Sequence, residues 1–433
     1  MLQQSPHPGP TASTRSKADD LRKQKKFDEA VGVYSTIWPD GNEWTGWGFA
    51  HSLRKLRRSH AALSVAEETL RIAPNFVLGR SVLAWAAFDI IRSVEELTPS
   101  ELRLARRVVR LLEGESANHE KTSPYVPTVL RVARHLVQKR RYSQALLWLA
   151  KLDAARLRTD EFLIQDQRGK RRRLASHREK YFSLTTACYE KLERWEECLG
   201  AAESAIGACG RLHHDNDIWL ARRIARSKVH LGRVEEGLKE LELLAKRKPA
   251  SFIFTDIAVA AHKLGHSDRV LGACLDALSA PGDMGFKLEA LLRLAGCLWA
   301  KGQHDPARKH LALYMAVRKT NAWSVDKEAH TLAEQWGVVG DVDVAATISE
   351  LKPTWRRDGS SEGARKNGVV DSILPHGKAG FIVTPDKERY YFETRDWRNG
   401  KVKPSRGSRV NFATRPSFDR KRNRESVAAY DIR

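Results

Sequence analysis

Long apolar runs are missing from this sequence: no stretch of eighteen residues is apolar throughout, which excludes a membrane-spanning helix. Cysteine is scarce as well. Cys188, Cys198, Cys209, Cys274 and Cys297 are odd in number and form no C-x-x-C pair. That usage reads as small buried hydrophobes in a reducing cytosol. The opening residues, MLQQSPHPGPTASTRSK, lack the apolar core of a secretion signal, and residues 1–17 read as a disordered leader. Catalytic signatures are also wanting. There is no P-loop, no G-x-S-x-G, no H-E-x-x-H and no dinucleotide fingerprint. Glu196-Glu197 and Glu235-Glu236 read as carboxylates on exposed helix faces. His213-His-Asp-Asn-Asp217 gathers metal-capable residue types without the spaced partners of a zinc or calcium site, so it reads as a polar loop with a helix cap. The expectation is a protein that is not an enzyme and has no catalytic residue, metal or cofactor.

What the chain has in excess is positive charge. Its 433 residues carry a formal net charge of +22, which points to a polyanionic partner, nucleic acid or an anionic surface. The surplus is uneven. Between Lys352 and Arg433 twenty Lys/Arg stand against ten Asp/Glu, so nearly half of it sits on the last fifth of the chain.

From about Ala18 to residue 350 the pattern is helical. Gly232-Arg-Val-Glu-Glu-Gly237, Gly265-His-Ser-Asp-Arg-Val270 and Gly302-Gln-His-Asp-Pro-Ala307 recur at intervals of 33 and 37 residues. Each is preceded at one offset by an apolar-small pair: Ile224-Ala225, Ile257-Ala258 and Leu294-Ala295. A small residue lets two helices approach and a glycine lets the backbone turn between them. Pro249 and Pro281 close two of the units. Fainter copies lie upstream at Leu21–Ala30, Phe49–Ala66, Val132–Ala145 and Thr185–Cys198, giving seven to nine helix pairs. Ile90–Gly114 reads as helical but off the period. The period and positions resemble the tetratricopeptide repeat, which implies a curved solenoid whose concave face binds a protein partner. Residues 351–363 turn polar and read as a linker.

The last segment, 364–433, changes period. Gly368-Val-Val370, Ala379-Gly-Phe-Ile-Val383, Tyr390-Tyr-Phe392, Arg409-Val-Asn-Phe412 and Val427–Ile432 are short apolar runs, with Pro375-His-Gly377 and Thr384-Pro-Asp-Lys387 as turns. Five strands in this length make a small OB-type β-barrel, so the fold class expected is mainly α, an α-solenoid followed by that barrel. The order Gly-x-Val, Gly380-Phe-Ile382, an aromatic strand, Gly407-Ser-Arg-Val410-Asn-Phe412 and Ala429-Tyr-Asp-Ile432 resembles the cold-shock domain. That resemblance implies base-stacking rings at Phe381 and Tyr391. The chain departs from the family pattern where Ser372-Ile373 stand in a usual Trp-Phe slot, Ala379 in place of Phe, and Glu393 in place of His.

Basic and aromatic residues interleaved on one small barrel suit single strands, charge tracking the backbone while rings stack on bases. The expected contacts are Lys378, Phe381, Arg389, Tyr391, Arg395, Trp397, Arg398, Lys401 and Arg409, with Trp397 equally readable as core. Phe392 and Phe412 read as core. A second basic cluster, Arg168, Lys170, Arg171, Arg172 and Arg173, reads either as a solvated inter-helix loop or as a phosphate-contacting surface. Arg222, Arg223, Arg226 and Lys228 recur nearby at helical spacing. Together these features predict a cytoplasmic adaptor. Its barrel binds single-stranded RNA or DNA and its helices bind a protein, with no membrane association. The alternative is a scaffold whose barrel has lost nucleic-acid binding.

Overall fold

The structure, a computed structural model, describes residues 10–38, 40–113, 123–165, 169, 171–355, 365–398, 404–419 and 424–433. Among them are eighteen α-helices in consecutive pairs, a two-stranded hairpin and a closed five-stranded barrel. The chain divides into two compact units, residues 1–220 and 221–433.

The first unit holds α1 (Pro10–Lys23) and α2 (Phe27–Ile37), α3 (Glu43–Lys55) and α4 (Ser59–Ile72), α5 (Val77–Ser93) and α6 (Pro99–Leu112), and α7 (Tyr125–Gln138) and α8 (Tyr142–Leu149). The hairpin β1 (Phe162–Gln165) and β2 (Arg171–Leu174) follows, then α9 (His177–Lys191) and α10 (Trp195–Ala208). Residues 10–17, expected in the leader, belong to α1. The off-period segment is split by a capping box, in which the Thr98 hydroxyl and the Glu101 carboxylate satisfy each other's backbone N–H groups. Of the basic cluster, Arg171, Arg172 and Arg173 lie on β2 and not in a plain loop.

In the second unit, α11 (Asn216–His230), in which the division falls, pairs with α12 (Val234–Arg247). Then come α13 (Ser251–Lys263) and α14 (Ser267–Ser279), α15 (Leu288–Ala300) and α16 (His304–Thr320), and α17 (Lys327–Trp336) and α18 (Val344–Leu351). Packing continues past α18. Trp355 is buried, its indole N–H donates to His310 Nε2 at 2.9 Å, and its carbonyl accepts from Ser279 Oγ at 2.8 Å. Residues 351–355, placed in the linker by composition, are therefore part of the helical layer. Residues 356–363 of that linker lie outside the described residues.

One rule explains seven of the pairs. Each inter-helix turn places a residue at positive φ: Lys25, Arg57, Arg140, Glu193, Gly232, Gly265 and Gly302. Seven residues earlier stands a fully buried small side chain: Ala18, Ala50, Ala133, Thr186, Ala225, Ala258 or Ala295. Five residues later stands Ala30, Ala62, Ala145, Cys198, Gly237, Val270 or Ala307, all buried. These two positions face one another across the pair. At Gly237 a Cβ would meet Val229 Cγ2 at 2.5 Å and the Ala225 carbonyl oxygen at 2.6 Å, so the closeness of α11 and α12 itself requires the small residue.

The barrel comprises β3 (Lys366–Ile373), β4 (Ala379–Val383), β5 (Arg389–Glu393), β6 (Arg409–Asp419) and β7 (Arg424–Tyr430), closed in the order β3-β4-β5-β7-β6. Among the described strands the β5–β7 pairing is the parallel one, and an isolated parallel bridge joins Trp397 to Ile432. Alternation puts Val370, Ile382, Tyr390, Phe392, Val410, Phe412, Ala429 and Ile432 into one core. Gly380 faces inward where a Cβ would strike the Ser372 carbonyl oxygen at 2.4 Å and the Phe392 ring at 2.7 Å. The ends are clasped by Arg365, which donates to Asp431 Oδ2 at 2.8 Å and to the Asp431 and Asn411 carbonyl oxygens at 2.9 and 3.1 Å. This guanidinium holds the Asp431 carboxyl below its usual range. Helix α12 packs against β6.

Candidate nucleic-acid interface

The outer face of β3–β4–β5 is built by register. One cross-strand row runs Ser372, Phe381, Tyr391, and then Ala428 on β7. The neighbouring row runs Arg409, Val369, Val383, Arg389 across β6, β3, β4 and β5. Rows two residues apart lie about 6.7 Å from each other along a strand, comparable to one nucleotide step. Phe381 and Tyr391 meet edge to face at 5.8 Å between centroids. Tyr391 remains 37% exposed and Val369 41%. Burial, followed by the charge of Glu393, raises the Tyr391 phenol above its ordinary range, so it stays protonated and can donate.

Arg389 links the two rows. Its guanidinium lies 4.2 Å from the Phe381 centroid and donates to Asp371 Oδ2 at 2.9 Å and Ser372 Oγ at 3.2 Å. A bulge in β3 between Val370 and Ser372 brings both acceptors to it. At the far end of the ring row, Lys378 and Arg395 are both exposed. The Lys378 carbonyl accepts from Thr394 N–H at 3.0 Å, which holds the two turns together, and Arg395 pairs with Glu393 at 2.5 Å. Cations thus stand at both ends of the ring pair.

The remaining expected contacts lie elsewhere. Trp397 is half-buried and packs against the barrel core, 6.1 Å from the Phe392 ring, and its backbone bridges to Ile432. Arg398 is exposed, 4.0 Å from Asp431. Lys401 lies outside the described residues. Phe392 and Phe412 are fully buried, as expected of core. The valines at 369 and 383 were not singled out from sequence, although their alternation with buried Val370 and Ile382 marks them as outward.

In the second basic cluster, Arg171 and Arg173 are exposed and Arg173 pairs with Glu161 at 2.9 Å. Arg168, Lys170 and the Arg172 side chain lie outside the described residues. Arg222 and Arg226 both reach Asp256, at 2.5 and 3.3 Å, and Lys228 reaches Glu240 at 2.5 Å. These cations tie helices together. His213 bridges two acids: Nδ1 lies 2.8 Å from Glu179 Oε2 and Nε2 lies 3.1 Å from Glu161 Oε1. Glu179 also accepts from Asn216 Nδ2 at 2.8 Å, so the loop docks onto α9. Among the described residues no group of three or more His, Cys, Asp or Glu could hold a metal ion, and no helix is long and apolar enough to cross a membrane.

No family model matches the chain. No curated protein matches it either.

Proposed function

We propose that this chain is a non-enzymatic nucleic-acid-binding adaptor. Its cold-shock-like barrel takes single-stranded RNA or DNA on the outer face of β3–β5, and its tetratricopeptide-like helix pairs take a protein partner. The observation that carries the reading is the Phe381–Tyr391 row, with Arg389 at one end and Lys378 and Arg395 at the other. Two rings offer stacking surface for two bases, and the flanking cations follow the phosphates. Each ring contributes about 1–3 kcal/mol per base. The double change Phe381→Ala, Tyr391→Ala is therefore expected to weaken binding of an unstructured oligonucleotide by about thirtyfold or more, the loss that about 2 kcal/mol corresponds to.

A second reading, a protein-interaction scaffold, draws on one contact: Arg389 covers the Phe381 ring, and β3 supplies Ser372 where a third ring would stand. Under that reading the double variant leaves oligonucleotide affinity unchanged.

A further inference from the structure

Helix α9 is charged against its own dipole. Its first turn carries the cations Arg178 and Lys180, with Glu179 as the one acid. A cation at a helix N-terminus costs about 0.3–1 kcal/mol. Neighbouring elements add to the conflict. Lys180 Nζ and Arg158 Cζ lie 4.6 and 4.5 Å from the Phe162 centroid. The Arg158 carbonyl accepts from Arg178 N–H at 3.3 Å, which fixes its segment across the start of the helix. Arg134 on α7 adds a further cation. Burial lowers the Lys180 ammonium from its ordinary range; Glu179 opposes this, and Arg134 and Arg158 push it lower.

The acids nearby are committed. Glu179 is held by His213 and Asn216, Glu161 by Arg173 and His213, and Asp160 lies 3.7 Å from Arg158. Among the described residues, neither Arg134 nor Lys180 has an ion-pair partner. Cations drawn from α7, the segment before β1, and α9 meet with too few anions between them. One anionic group docked at the start of α9 relieves both the mutual repulsion and the dipole conflict.

We propose that Arg134, Arg158 and Lys180 form a phosphate-binding site for the backbone of a single-stranded polynucleotide, with Arg171 and Arg173 on the adjoining hairpin extending the positive surface. A polynucleotide is favoured over an acidic protein because the cations are spread over several elements, as a run of phosphates requires, and because the chain as a whole carries +22. The site shares no residue with the barrel face and does not depend on that reading.

The test uses the full chain carrying Phe381→Ala and Tyr391→Ala, so that the barrel face is disabled. The probe is a fluorescein-labelled oligouridylate of about 20 nucleotides, longer than a single barrel site. Adding Arg134→Gln and Lys180→Gln is expected to lower the residual affinity about fivefold or more. It should also flatten the dependence of log K on log salt by about 1.4, the share of two phosphate contacts on a single strand. The melting temperature should hold or rise, since repulsion is removed; a merely structural role would lower it. Arg134→Gln alone, at an exposed position, is expected to give half the change in slope. Unchanged affinity and slope would overturn the site, as would absence of residual binding before the two changes are added. Displacement of the oligouridylate by polyglutamate at equal charge would assign the surface to an acidic protein instead. Failure of the barrel reading shows separately, as an affinity that Phe381→Ala and Tyr391→Ala leave untouched.

Discussion

The helical layer and the barrel use the same three side chains to opposite ends. In the helices, Arg54 of α3 lies 5.2 Å from the Trp85 ring centroid and 2.8 Å from Asp89, four residues on in α5. Arg222 of α11 repeats the arrangement with Phe252 and Asp256, again four apart, in α13. On the barrel, Arg389 sits over Phe381 and reaches Asp371. The chemistry is shared and the burial is not. The Asp89 side chain is 8% exposed, whereas Arg389 and Asp371 are 54% and 38% exposed. A desolvated pair is costly to break because the surviving charge is left in a poor solvent. An exposed pair contributes about 0.2–1 kcal/mol and is readily exchanged. The buried triads therefore lock one helix pair to the next. The barrel triad is a contact that a phosphate and a base can displace, under the proposed function.

Breaking the two kinds of triad sharpens this contrast. Asp89→Ala strands Arg54 and is expected to cost about 3–5 kcal/mol, read as a large drop in the denaturant midpoint. A midpoint shift below a fifth of that would place the buried and exposed triads in one class.

Acid separates the regions next. Burial, with Lys180 and Arg158 adding repulsion, depresses His177 to about 4, and burial does the same to His51 with Lys55, Arg22 and Arg54 adding to it. A histidine whose folded pKa lies below its unfolded value stabilises fully above the unfolded pKa, near 6.5, and that stability is lost as pH falls toward the folded pKa. For buried His177 the loss by pH 4 is on the order of 3 kcal/mol; partly exposed His51 contributes less. The barrel has a lowered carboxyl instead, Asp431, so its linked stability is kept until pH falls through the carboxylate range. Hydrogen exchange between pH 7 and pH 4 should show α3 and α9 losing protection before β3–β7. Loss in the reverse order contradicts this assignment.

The smallest effect comes from the exposed triad. Asp371→Asn removes the anion that competes with phosphate for Arg389. Stability should move by only about 0.2–1 kcal/mol, while oligonucleotide affinity rises by up to about fivefold. In an Arg389→Ala background the gain should vanish. A gain that persists there is a general charge effect and argues against exchange at Phe381.

How much of this was legible in the sequence follows from how each signal is encoded. The barrel core was readable because its inward residues alternate strictly, as in Val370, Ile382, Phe392 and Phe412. The bulge at Asp371 was not, since one unpaired residue leaves the apolar pattern intact. Repeats with glycine in the turn stood out, while those turning at Lys25, Arg57, Arg140 and Glu193 were legible only as fainter copies. The turn needs a positive φ, and non-glycine residues meet that need at a cost that pair packing covers. The hairpin was missed because its strands have four residues each and one reads Arg171-Arg-Arg-Leu174, a poor match to strand propensity. The site was legible as a list of residue types but not as rows. Tyr390 and Tyr391 are alike in sequence, and only the pleat sends one into the core and the other outward.

Photocrosslinking tests the central claim most directly. The full chain is bound to a 4-thiouridine-substituted single strand, irradiated, digested, and the modified peptides mapped. The account predicts adducts on Phe381 and Tyr391 that disappear when the strand is competed away. A strand that binds saturably yet leaves β4 and β5 unmodified would contradict it.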